Sequence, residues 1–388
     1  MKKILIAILL SSFNGYGQQL VWTQKADIPS STRHSPIGFS INQYGYIATG
    51  FNNGTCYNDM WKYDPSTNVW SQVASLPGSG RYGASVFVIN SKAYAGIGWS
   101  SSNQGLSDFY EYDPIANQWS ARANFIGPQI YTAIGFAVGG LGYITSGYPL
   151  NSSVFEYNPI NNVWFSKSGF PGNPRQSATS FVVNDTAYMV SGYLTSSPSN
   201  ELWRYNQLSD TWTMMQSLPN NPRYGAVGFE LSGLGVITTG GNGTYYFTDG
   251  YAYSPPINQW LNIPQFTGAI RRHSASFTIN NKGYVSCGIS ATGSTLNDLW
   301  ELSDVTALPE AASTQPKVYY NQSYSTLTVT GLANKKSTLK IFSLSGQMVY
   351  SQQCYSDMEQ IPLKLNKGIY SYNIEGIGKM MNGKFEKL

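Results

Sequence analysis

The chain has 388 residues, of which only 11% are charged and 14% are aromatic, where about a quarter charged is usual for a soluble domain. Its formal charge of +4 is uneven: residues 18–310 hold 13 basic and 16 acidic side chains, whereas residues 311–388 hold nine lysines against four acids. A main body near −3 lacks the basic stripe that nucleic acid demands. Three scattered cysteines, Cys56, Cys287 and Cys354, form neither a metal-ligand spacing nor a disulfide framework.

Residues 1–17 read as a secretory signal. Lys2 and Lys3 are its basic region, Ile4 to Leu10 its apolar run, and Gly15-Tyr16-Gly17 a small-x-small cleavage site. The apolar run is too short to span a bilayer. No later stretch is long or apolar enough, so the expected product is exported, without a transmembrane segment, and monomeric.

From residue 18 to 303 one pattern recurs six times. Phe39, Phe87, Phe136, Phe181, Phe229 and Phe277 each stand seven residues before Tyr46, Tyr94, Tyr143, Tyr188, Val236 and Tyr284. Four residues further on comes a glycine every time: Gly50, Gly98, Gly147, Gly192, Gly240 and Gly288, at steps of 48, 49, 45, 48 and 48 residues. An aromatic pair follows, such as Trp61 with Tyr63, and seven residues after its second member comes Trp70, Trp119, Trp164, Trp212 or Trp260. A fixed period in this range signals a propeller or array.

The sixth repeat lacks its tryptophan, since Pro309 stands seven residues after Leu302. The missing piece lies at the other end of the chain. Trp22 precedes Arg33 by the same 11 residues that separate Trp70 from Arg81. The sequence therefore predicts six four-stranded blades, the last closed by residues 20–25, so that no sheet edge is left frayed. In each repeat the first strand is expected near Phe39–Ile41 and the second near Tyr46–Gly50. The third carries the aromatic pair, and the fourth ends near the tryptophan.

The unit resembles a kelch repeat, with Asn58, Asp59, Trp61, Tyr63, Asp64, Pro65, Asn68 and Trp70 matching its N-D-x-W-x-Y-D-P-x-x-N-x-W ending. The likeness covers roughly residues 20–303. One departure is that the second of two adjacent glycines survives only at Gly241; elsewhere Phe51, Trp99, Tyr148, Tyr193 or Ile289 takes its place.

All length variation falls between the glycine and the third-strand aromatic, from 8 residues (Gly147 to Phe155) to 12 (Gly98 to Tyr110). Variable loops on one rim of a rigid ring are the expected place for binding. The residues six before the phenylalanines are Arg33, Arg81, Ile130, Arg175, Arg223 and Arg271, which should start the innermost strands at the channel mouth. Two readings of the arginines stand. They recognise an anionic ligand through their planar forks, or they bond loop carbonyls and the recurring acids Asp59, Asp108, Glu201, Asp249 and Asp298. Beside them Phe51, Trp99, Tyr148 and Tyr193, with neighbouring Asn and Ser, suit sugars or peptides, or else plug the channel. His34 and His273 follow Arg33 and Arg272 near that mouth, one register apart, which speaks against a paired metal site and for hydrogen-bonded structural histidines.

No catalytic motif, metal site or cofactor site is present in the sequence. Kelch propellers are many-functioned, and the resemblance implies binding of a carbohydrate (acidic or neutral) or a protein through this rim. It also admits two alternatives: a scaffold contact, or an enzyme like the six-bladed sialic-acid mutarotases and epimerases, in which Arg holds the sugar carboxylate. For the enzyme, Glu111, Glu156 and Glu301 are the candidate acid/bases, although their place between paired aromatics points them at neighbouring blades.

Residues 304–316 read as a linker. Residues 317–388 alternate as short strands at Ser325–Thr330, Thr338–Phe342, Met348–Ser351, Ile361–Leu365 and Ile369–Ile374. Leu339–Gln353, Leu365–Ile374 and the closing Gly383–Leu388 resemble the C-terminal sorting domain of the type IX secretion system of Bacteroidetes. That likeness implies a small Ig-like sandwich, engagement of that secretion machinery, and an extracellular or outer-membrane-surface destination.

Overall fold

The structure, a computed structural model, describes residues 20–304, 317–321, 326–330, 337–354, 358–363, 365–375 and 381–387. Residues 1–17, read as a signal, and most of 304–316, read as a linker, lie outside them. The chain divides into two compact units, Met1–Thr306 and Ala307–Leu388.

The first unit holds six four-stranded antiparallel sheets. Blade 1, for example, comprises Ile37–Ile41, Tyr44–Ala48, Met60–Asp64 and Val69–Val73. The tryptophan expected at the end of the fourth strand stands near its start: Trp70 is its second residue. It must, because Trp70 pairs across the strands with Tyr63, and a short turn between them leaves it no later position. The innermost strands contact one another in sequence and close into a ring, Ile37–Ile41 meeting both Ser85–Ile89 and Ala275–Ile279. Closure of the sixth blade is as the sequence predicts. Leu20–Lys25 pairs antiparallel with Leu299–Asp304, setting Trp22 opposite Leu302.

Every inner strand buries alternate residues, as Ile37, Phe39 and Ile41 do, because successive side chains point to opposite faces. The result is not one core but six hydrophobic clusters, each shared by two neighbouring blades. A small residue at the second position of the second strand makes the close approach possible. At Gly45 an added Cβ would sit 2.3 Å from the Phe277 ring of the preceding blade. Each buried aromatic contributes on the order of 4–6 kcal/mol as an upper bound.

Polar clips lock the same seams. Asn117, at φ 50°, accepts hydrogen bonds through Oδ1 from Ala74 N of the preceding blade and from the Tyr112 hydroxyl, at 2.9 and 2.8 Å. The Trp119 indole N–H donates to the Ala74 carbonyl at 2.8 Å. Asn68, Asn162 and Asn258 repeat the arrangement, and Asp210 stands in for Asn in blade 4.

The second unit is two sheets, of three and four strands, around one core that includes Leu327, Leu339, Ile341, Ile361 and Tyr372. Strands Lys317–Asn321 and Met381–Lys387 add to those read from the sequence, and the strand expected at Ile361–Leu365 lies earlier, at Met358–Pro362, where it pairs with Thr326–Thr330.

Candidate ligand-binding site

The five arginines expected to face a ligand do not. Arg33, Arg81, Arg175, Arg223 and Arg271 are at most 1% exposed, each turned into its own blade. Arg33 meets Asp59 at 2.5 Å, Arg81 Asp108 at 2.6 Å, Arg223 Asp249 at 2.7 Å and Arg271 Asp298 at 2.5 Å, and Arg175 pairs with Glu201. A guanidinium has five donors, each costly to leave bare when buried, and the carbonyls of Ser31 and Thr49 take two more from Arg33. The acid is held in turn by the first aromatic of the third-strand pair, as Trp61 Nε1 donates to Asp59 at 2.8 Å. Burial alone would push the Asp59 carboxyl up, but Arg33, Trp61 and Ser30 outweigh it and hold it below the usual range. Blade 3 has lost both partners together. Buried Ile130 replaces the arginine, and its loop, Asn151 to Ser153, carries no acid. Of the two readings of these arginines, internal pairing is the one the geometry supports.

The next two residues of each blade make the site. Position two after the buried arginine is Ser35, Gly83, Thr132, Ser177, Gly225 or His273, all at φ between 50° and 63°. Their backbones join into a closed belt around the axis. Gly83 N donates to Ser35 O, Thr132 to Gly83, Ser177 to Thr132, Gly225 to Ser177, His273 to Gly225, and Ser35 back to His273, at 2.7 to 3.1 Å. Four of the six are not glycine, and left-handed backbone there is costly; six interlocking bonds hold it.

Position one supplies His34, Tyr82, Tyr131, Gln176, Tyr224 and Arg272. Above the belt these six wall a cavity of about 380 Å³, with Tyr193 and Ile289 at its lip. A smaller space of about 120 Å³ lies beneath, shared by Ser35, Thr132, Ser177 and His273. The wall is buttressed from behind: Phe51 packs on Tyr82 at 5.3 Å, Trp99 on Tyr131 at 5.3 Å and Tyr193 on Tyr224 at 5.0 Å between ring centroids. So Tyr193 reaches the cavity, Phe51 and Trp99 support it, and Tyr148 touches it through Tyr131 at 5.6 Å.

Arg272 breaks the pseudo-sixfold symmetry. Its guanidinium lies 5.1 Å from the Tyr224 ring centroid and 5.2 Å from that of Tyr246, and it donates to the Tyr224 hydroxyl. Among the described residues no carboxylate pairs with it, and its Nε, like Thr132 Oγ1, is buried without a partner. Gly241 stands where four other blades carry a large aromatic, which gives Tyr246 room to reach Arg272.

His34 and His273 do meet, with ring centroids 6.4 Å apart. Burial, then the Arg272 charge, lowers the pKa of His34, and the same causes with His34 added push His273 down to about 3. Both are neutral at pH 7. The glutamates are elsewhere: Glu111 is bound by Lys92 and Arg122, Glu156 by Tyr143 and Lys167, and Glu301 by Lys282 and Tyr284. None lines the cavity. No group of His, Cys, Asp and Glu among the described residues is arranged to hold a metal.

Comparison with known proteins fits this geometry. Residues 46–77 and 80–125 match the Kelch motif. A solved structure described as "Structure of YjhT" shares the fold, with TM-score 0.62 over 71% of this chain and 95% of that one, at 16% identity. The first unit has the fold of a kelch-like β-propeller. No curated protein matches the sequence. In kelch terms, what sequence reasoning passed over is the residue just after the repeat's arginine. Its signal was present in the variety His, Tyr, Tyr, Gln, Tyr, Arg at a position flanked by constancy.

Proposed function

We propose that the kelch propeller binds carbohydrate, acidic sugars best, in the bowl above the backbone belt. The observation that carries this is Arg272. Among the described residues it is a cation without a carboxylate partner, pinned between two tyrosine rings, with one buried N–H unsatisfied. Three blades away stands Tyr131 and, beside it, Tyr82. A ligand carboxylate would complete the guanidinium's bonds, while the apolar face of a sugar ring packs on tyrosine, which is rigid, amphipathic and rich in contact area. Gln176, Ser177 and Thr132 add hydrogen-bonding groups for hydroxyls. Titration of the intact protein with sialic acid, glucuronic acid and glucose tests it. Binding of the acids that is weakened by Arg272→Gln is expected, and equal or absent binding of all three would turn the reading toward a protein partner.

A second reading, a sialic-acid mutarotase or epimerase, is favoured by His34 and His273. His34, a neutral imidazole beside the anion anchor, is the better placed of the two to move a proton, since His273, pushed down to about 3, is a weak base; it takes the place of the glutamates considered from sequence. NMR of anomeric exchange in sialic acid, with and without the protein, decides it.

Export through the signal sequence, and sorting to the cell surface by residues 317–388, complete the proposal. Their support is the residue patterns given above. Deleting residues 311–388 should hold the protein in the periplasm, and normal surface display would refute it.

A further inference from the structure

We infer that the bowl receives the terminal sugar of a longer glycan, whose remaining residues lie across Tyr148 and Tyr245 on the rim of blades 3 to 5. The inference rests on the sugar-binding reading above and adds an outer subsite to it. A cavity of about 380 Å³ is at the small end of ligand sites. It has room for one substituted sugar ring, and whatever is attached to that ring must leave through the mouth.

The mouth is not uniform. Around it, Phe51, Trp99 and Ile289 of blades 1, 2 and 6 are half-buried, the first two occupied as buttresses. Tyr148 is 44% exposed and Tyr245 66% exposed; Tyr148 is bridged through its backbone to Tyr131 of the wall, and Tyr245 lies in the loop closed by the Gly241–Tyr246 bridge. A lone exposed tyrosine means little. These two are continuous with the site: Tyr148 meets Tyr131 edge-on at 5.6 Å, and Tyr245 adjoins Tyr246, whose ring covers Arg272.

The backbone that carries Tyr245 is held by a turn. Asn242 Oδ1 accepts from Thr244 N at 3.0 Å and Tyr245 N at 2.8 Å, and Asn242 N donates to the Tyr245 carbonyl at 2.9 Å. Among the described residues the Tyr245 ring makes no ring contact and its hydroxyl no hydrogen bond. A bare aromatic face on a held backbone beside an anion anchor suits the apolar face of a second or third pyranose.

The test is calorimetric titration of the intact protein with sialic acid, with sialyllactose, which carries the same sugar at its terminus, and with lactose. Sialyllactose should bind about tenfold more tightly than sialic acid, and lactose should not bind. Tyr245→Ala should remove about threefold or more of that advantage, the size expected for one aromatic stack, while leaving the affinity for sialic acid unchanged; Tyr148→Ala, whose ring packs on Tyr131 of the bowl, should lower the ratio of the two affinities by a similar factor. Both side chains face solvent, so the variants should fold, and their melting temperatures check this. Equal affinities for sialic acid and sialyllactose, or an advantage that survives the double variant, would overturn the outer subsite and leave the bowl standing. No binding of either would remove both.

Discussion

Trp22 faces Leu302 across the strand pair that closes the propeller, in the register that Trp70 has with Tyr63 and Trp119 with Tyr112. The tryptophan is 5% exposed, and its indole N–H donates to the Pro264 carbonyl of the preceding blade at 3.2 Å. One side chain from the start of the chain thus fastens the fifth blade to the sixth. Trp22→Ala should cost about 3–5 kcal/mol, as large-to-small changes of buried aromatics do. A protein beginning at Thr32 should lose its single cooperative transition in thermal denaturation. An unchanged melt would remove the closure from the account.

The buried ion pairs make a different prediction from the one a ligand-facing arginine would make. Arg81→Ile leaves Asp108 charged and unpaired, and should destabilise by about 3–5 kcal/mol. Adding Asp108→Ser copies the blade 3 solution, Ile130 with no acid, and should recover much of that loss in urea unfolding. Sugar affinity should be the same in the double variant as in the unaltered protein. A selective loss of affinity without loss of stability would return the arginine to the ligand.

The spacing already held this answer. The acids follow their arginines by 26 or 27 residues in every blade that has both, a constancy that suits internal pairing better than a variable ligand. Strand order, blade number and ring closure were legible because they depend on aromatic and glycine positions that recur. The belt was not legible. It is made by backbone, and Ser, Gly, Thr, Ser, Gly and His share no side-chain chemistry that would mark them. Nor was the partnership of Arg272 with Tyr246, which depends on a loop tip in blade 5 bending over a side chain of blade 6.

Asn117 should resist replacement by alanine. Its Oδ1 serves two donors across a blade seam, and its backbone is left-handed. Asn117→Ala should cost about 1–3 kcal/mol by leaving those donors unpaired. Asn117→Asp should be much milder, since Asp210 performs the same task in blade 4. Comparison of the two urea midpoints checks it.

His273 gives the stability a pH dependence. Its folded pKa is about 3, against 6.5 as the ordinary value. Between those values the unfolded chain takes up a proton that the folded one refuses, so stability should fall as pH drops below about 6.5, by at most about 1.4 kcal/mol per pH unit. Asp59, held below the usual carboxylate range, contributes only at lower pH, where the unfolded carboxylates begin to protonate. His273→Asn should reduce the slope between pH 6.5 and 5, leaving the share of His34, whose pKa is also lowered, and the steeper loss below pH 4.5. An unaltered slope would show that His273 is protonated in the folded protein.

The most direct measurement is the affinity of the intact protein for sialic acid before and after Arg272→Gln. A carboxylate held by this guanidinium should lose about ten- to a hundredfold in affinity, the worth of a charged hydrogen bond. Arg81→Ile/Asp108→Ser should leave the affinity alone. Sialic acid that binds equally well without Arg272, or does not bind at all, would contradict the account.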